Sequence, residues 1–128
     1  MQNKESLYPK DWMAKGDNDW DAARILLEAG KLELASFHIQ QAIEKNLKGY
    51  LLSKGWKLRH IHELDELLDD AAVCHSGLNE FRSLCELATE FYVEERAPLL
   101  ITSKFNKEEL EKVLKQAKEL IELIRRIA

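Results

Sequence analysis

Turn-forming residues are scarce in this chain, with five Gly and two Pro in 128 residues. That leaves few places for the tight reversals of a β-rich domain and favours helices joined by short connections. Cysteine is nearly absent: Cys74 and Cys85 fall on separate predicted helices and form no CxxC pair. No run approaches the ~20 consecutive apolar residues that span a bilayer, and the start, MQNKESLYPKDW, has no apolar stretch of a secretory signal. Two reduced thiols in a cytoplasmic protein without a membrane role is the resulting expectation. Positive charge is not in excess either, since 19 Lys and Arg stand against 23 Asp and Glu for a net charge of −4. A broad non-specific nucleic-acid surface is thereby excluded, and any contact with a nucleotide or RNA must be local.

What is present is 45% hydrophobic and 33% charged, enough apolar material for one domain over residues 1–128. Five helices are predicted. The first starts at Tyr8-Pro9, carries Trp12, Gly16, Trp20, Ala23 and Leu27 at helical spacing, and stops at Gly30. The second, Leu32 to Ser53, has a broad apolar face (Leu32, Ile39, Ile43, Leu47, Tyr50) and a second face of Phe37, Gln41, Glu44, Lys48 and Leu51. A helix apolar on both sides of a polar strip is either central in a bundle or shared with a second subunit. The third runs from Ile61 to Val73 and the fourth from Leu78 to Glu95, ahead of Pro98. In the fifth, Asn106 and Glu109 form a capping-box pattern before a stripe from Leu110 to Ile127.

The fold expected is all-α: an antiparallel up-and-down bundle with a four-helix core plus a fifth helix. Short loops make successive helices antiparallel neighbours. On that basis the start of helix one, the end of two, the start of three, the end of four and the start of five share one end. Lys48, His62, Tyr92 and Arg96 should gather toward it. Arg96 continues the Leu78–Cys85–Tyr92 stripe.

Each candidate chemistry has a plainer rival. Asp17, Asp19 and Asp21, with Glu28, have the spacing of a calcium loop, but Ala22 stands where such a loop needs Gly; an acidic solvated helix face is expected. His60, His62, Cys74 and His75 complete no zinc spacing, so no metal is expected. Glu44 and Lys48, four residues apart, are either a surface ion pair or part of a groove inside the bundle. Arg96 is either a ligand contact or a cation favoured by the dipole in a helix's last turn. Neither a phosphate-binding glycine loop nor a nucleophile–base set occurs, and no cofactor is implied.

Four segments, taken in order, carry a resemblance: Trp12-x3-Gly16-x2-Asp19-x3-Ala23, Gln40-Gln41-Ala42-Ile43-Glu44-Lys45-Asn46-Leu47-Lys48, His62-Glu63-Leu64, and Tyr92-x3-Arg96-Ala97-Pro98. Together they resemble the HEPN family (higher eukaryotes and prokaryotes nucleotide-binding). The likeness covers about residues 10 to 127, with Ala97 replacing a Tyr of the family's last segment. It implies a helical bundle, commonly dimeric, often paired with a separate minimal nucleotidyltransferase. Other members are ribonucleases, frequently toxins of toxin–antitoxin pairs, which carry an Arg followed four to six residues later by His. Arg24, Arg59, Arg82 and Arg96 have no His at that interval.

The function expected is therefore a non-catalytic nucleotide- or RNA-associated HEPN protein, a homodimer acting as substrate-binding or regulatory partner of a nucleotidyltransferase. In it Arg96 and Lys48 contact phosphate, Gln41 and Glu44 orient a polar group, and His62 and Tyr92 lie nearby. One rival is an atypical ribonuclease using Arg96 and His62; another is a purely structural dimerisation module.

Overall fold

The computed structural model describes residues 7–91 and 105–128. Among them run α1 (Pro9–Glu28), α2 (Leu32–Ser53), α3 (Leu64–Cys74), a 3-10 helix (Ser76–Phe81), α4 (Arg82–Thr89) and α5 (Lys107–Ile127), with no strand. The expected all-α bundle is observed. α1 has Pro in its first turn and ends before Gly30, and α5 opens on the expected capping box, Asn106 and Glu109 each taking the other's backbone N–H at 2.8 and 2.9 Å. No helix among the described residues is long and apolar enough to cross a membrane.

α2 is the axis of the molecule. It packs on α1, α3, α4 and α5, and Ile39, Ile43, Leu47, Tyr50 and Leu51 are all buried. α2 is thus central in the bundle, one of the two arrangements the sequence allows, while Leu32 and Phe37 on its N-terminal half are only half-buried. α1 and α2 run antiparallel and approach closely at Gly16, where a Cβ would stand 2.3 Å from Asn46 Nδ2 and 3.1 Å from the Ala42 carbonyl.

One connection departs from strict alternation. His62, just ahead of α3, touches Gln40 and Glu44 near the middle of α2. Asp70, further along α3, is reached from Trp56, whose own N–H bonds the Leu51 carbonyl at the end of α2. α3 therefore runs in the same sense as α2. Residues 54–63 make this possible: extended chain covers up to ~3.3–3.6 Å per residue, whereas helix rises only ~1.5 Å, so the connection can double back along α2. Gly55 starts the return with φ 87°, a value that glycine takes without steric cost. α5 also differs from the alternating scheme. Its C-terminal Arg125 bonds Asp17 and the Met13 carbonyl, and Leu114 accepts from Trp20, so the end of α5 rather than its start lies beside the start of α1.

Two boundaries shift as well. α3 begins at Leu64 rather than Ile61, because Ile61 N–H bonds the Arg59 carbonyl and the His62 carbonyl is taken by the Gln40 side chain. Helix four begins as a 3-10 turn at Ser76, and its α-helical part ends at Thr89. The Thr89 hydroxyl donates to the Cys85 carbonyl and accepts from Leu64 N–H, tying the end of α4 to the first turn of α3. The predicted continuation to Glu95, and Tyr92, Arg96 and Pro98, lie outside the described residues.

Candidate functional site around Glu44

Helix periodicity puts Gln40, Glu44 and Lys48 on one stripe of α2, four residues apart. All three are buried, at 0, 3 and 2% exposure. A lone charge taken that far from water costs several kcal/mol, so burial demands partners. Lys48 Nζ donates to Glu44 Oε2 at 2.9 Å, and Gln40 Nε2 donates to Glu44 Oε1 at 2.9 Å and to the His62 carbonyl at 3.1 Å. His62 Nδ1 lies 3.2 Å from both Glu44 oxygens. One carboxylate thus collects an ammonium, an amide and an imidazole. The Trp12 ring of α1 sits 5.4 Å from Lys48 Nζ, close enough for a cation–π contact in a desolvated setting.

The cluster meets solvent through His62, whose side chain is 37% exposed. Gln41, half-buried, joins the network by donating to Gln40 Oε1 at 2.7 Å. Fixing Nδ1 on a carboxylate sets the orientation of the imidazole ring, the usual way a histidine is readied for proton exchange or for hydrogen bonding to a ligand. Of the sequence candidates, Gln41, Glu44, Lys48 and His62 are brought into one connected set. Lys48, expected to contact phosphate, has its ammonium on Glu44. Tyr92 and Arg96 lie outside the described residues.

Gln40 and Trp12 belong to the cluster without having been assigned to it from sequence. Gln40 sits one turn before Glu44 on the same stripe, a signal that spacing alone carries. Trp12 reads equally well as core, because an aromatic on an apolar stripe has no distinguishing mark.

A second polar group lies between α1 and α2. Asp19, at 9% exposure, accepts from Lys45 Nζ at 2.7 Å and pairs with His38 Nδ1 at 2.8 Å. The acidic run 17–21 is therefore not uniformly a solvated face: Asp21 is exposed, Asp17 pairs with Arg125, and Asp19 is part of the α1–α2 interface. The reason is helical phase, since Asp19 falls three residues after Gly16 and four before Ala23, on the buried stripe. Among the described residues, no group of three or more His, Cys, Asp or Glu is arranged to hold a metal ion.

The family model for the HEPN domain matches residues 9–127, and the chain belongs to the HEPN family. Two solved structures share the fold. TT1696 from Thermus thermophilus superposes with a TM-score of 0.82 at 22% identity, covering 94% of this chain and 98% of that one. ST0689, an archaeal HEPN homologue, superposes with a TM-score of 0.75, also at 22% identity and over 94% and 98% of the two chains. No protein of curated function matches the sequence.

Proposed function

We propose that this chain is a non-catalytic, cytoplasmic nucleotide- or RNA-associated protein that works as a homodimer beside a separate minimal nucleotidyltransferase. The Glu44 cluster is its ligand site. One observation carries the reading: a half-exposed imidazole is held on a buried carboxylate whose charge is already balanced by Lys48. Because Glu44 is compensated, the site does not repel a phosphate as a bare carboxylate would, and His62 and Gln41 offer hydrogen bonds at its edge. Arg96 supplies the charge-assisted contact in this reading, as the family resemblance implies. Ile25 and Leu34, exposed at the end of α1 and the start of α2, are apolar surface available to a second copy, and light scattering tests that assembly. The ligand is tested by mass spectrometry of small molecules released from natively purified protein. A nucleotide recovered in stoichiometric amount supports the proposal; clean protein that also fails to bind added nucleotide and RNA contradicts it.

The ribonuclease reading is favoured by the same carboxylate–imidazole geometry, since a metal-free cleavage needs a proton acceptor for the 2′-hydroxyl. It requires cleavage that is lost in both His62→Ala and Arg96→Ala.

A further inference from the structure

Glu44 holds His62 by its Nδ1, and in a second pair Asp19 holds His38 by the same atom at 2.8 Å. This second pair has no part in the proposed ligand site. His38 stands six residues before Glu44, about 120° around α2 from the Gln40–Glu44–Lys48 stripe. Asp19 reaches it from α1 and is 9% exposed, and its other oxygen takes Lys45 Nζ at 2.7 Å. The His38 side chain is 30% exposed, and its ring meets that of Phe37 edge-on, with centroids 5.4 Å apart.

A carboxylate only accepts hydrogen bonds, so Nδ1 carries the proton of that contact. In the neutral ring the lone pair is then on Nε2, which makes no hydrogen bond among the described residues. Lys45 already balances Asp19, so the ring does not have to be an imidazolium to sit there. The result is an oriented, solvent-reached nitrogen nucleophile. Other uses of such a nitrogen find little around it. Among the described residues no group of three or more His, Cys, Asp or Glu is arranged to share a metal ion. The clefts between α1 and α5, between the 3-10 helix and α5, and at the start of α2 are lined by other residues and hold no small substrate against His38. A nucleophile on an open helix face suits a group carried in on another molecule.

We propose that His38 is a phosphoryl-accepting site, taking the group at Nε2 from a donor with a P–N bond such as a phosphohistidine on a partner protein. The Nε2 lone pair attacks phosphorus, and a new P–N bond forms as the donor's breaks, its electron pair leaving with the donor nitrogen. Nδ1 keeps its proton throughout, and Asp19 stabilises the positive charge that develops on the ring. Lys45, on the same carboxylate, favours an anionic group over a neutral acyl one. One P–N bond replaces another, so no further reactant is needed. His38 is the acceptor; Asp19, which touches only the far nitrogen of the ring, is a positioning residue.

The probe is potassium phosphoramidate, a free P–N donor, with the modified residues located by mass spectrometry under alkaline conditions, where phosphohistidine survives. His60 is the internal reference: it is the more exposed of the two rings, so exposure alone would make it react first. Losing the carboxylate behind a metal-bound imidazole costs about 10–100-fold, and on that scale His38 should react roughly tenfold or more faster than His60 in the native protein. Asp19→Asn should lose most of that lead, and His38→Gln should abolish the fast modification. In urea the two histidines should react at one rate, because the lead depends on the fold; this comparison decides the matter even where Asp19→Asn does not fold. His38 no faster than His60 in the native protein, a lead that persists in urea, or a folded Asp19→Asn that reacts like wild type would overturn the proposal.

Discussion

His62 Nδ1 lies equidistant, at 3.2 Å, from the two carboxylate oxygens of Glu44, across a sequence separation of 18 residues. The pair exists because residues 54–63 fold back along α2, so that α3 starts beside the middle of that helix. Its energetics hinge on Lys48, which shares the same carboxylate from one turn further on.

Removing the carboxylate charge should expose this dependence. Glu44→Gln leaves the Lys48 ammonium, 2% exposed, without its counter-charge, and breaking a buried pair from one side costs about 3–5 kcal/mol. Urea denaturation should report a loss of that order. Glu44→Gln/Lys48→Met should recover most of it, because the double change removes both charges. A single variant as stable as wild type would mean that the pair does not exist in solution.

Close packing of α1 on α2 makes Gly16 intolerant of a side chain. In Gly16→Ala the new methyl meets Asn46 Nδ2 at 2.3 Å and the Ala42 carbonyl at 3.1 Å. Overpacking of this kind costs typically ~1–3 kcal/mol, offset only in part by the better helix propensity of Ala. Thermal melting should show a lower Tm for Gly16→Ala and little change for Ala14→Gly, beyond the propensity term, since Ala14 is exposed. A Tm that rises in Gly16→Ala, as helix propensity alone would have it, would contradict the packing.

The two cysteines should behave oppositely. Cys74 is exposed and Cys85 buried, and burial pushes the Cys85 thiol up to about 12, with Asp65 and Glu86 adding to the rise and Arg82 opposing it. Burial also raises Tyr50, with a smaller contribution from Cys74. Both groups hold their protons more tightly folded than unfolded, so their contribution is fully present below the unfolded values and is lost as pH climbs through the folded ones. For Cys85 the window opens near its ordinary value of 9.0 and closes near 12, with a slope of up to ~1.4 kcal/mol per pH unit. Denaturant melts at pH 8.5 and 10.5 should show the fall, and Cys85→Ala should reduce it. A thiol reagent should label Cys74 alone in the native protein; equal labelling rates would contradict the burial.

Much of this architecture is legible in the sequence because strong periodicity needs no tertiary help. The α5 stripe and its Asn106–Glu109 box, the α1 stripe, and the stop at Gly30 are local signals. Glu44 and Lys48 stand out because polar groups interrupt a helix that is apolar on both sides. The misses are tertiary. The start of α3 depends on the His62 carbonyl finding the Gln40 side chain, and the reversed sense of that helix depends on a connection long enough to return. Neither leaves a mark at the residues concerned. Asp19 is different: its phase beside Gly16 and Ala23 was readable, and the surrounding aspartates obscured it.

The central claim is that the Glu44–His62 cluster binds a nucleotide or RNA without cleaving it. Calorimetric titration of ATP and of a short single-stranded RNA into wild type and Gln41→Ala/His62→Ala, with the RNA afterwards resolved by length, tests it most directly. The account predicts saturable binding of at least one probe, a loss of roughly tenfold or more in the double variant, and RNA of unchanged length. No binding by the wild-type protein, undiminished binding by the double variant, or shortened RNA that His62→Ala leaves intact would contradict it.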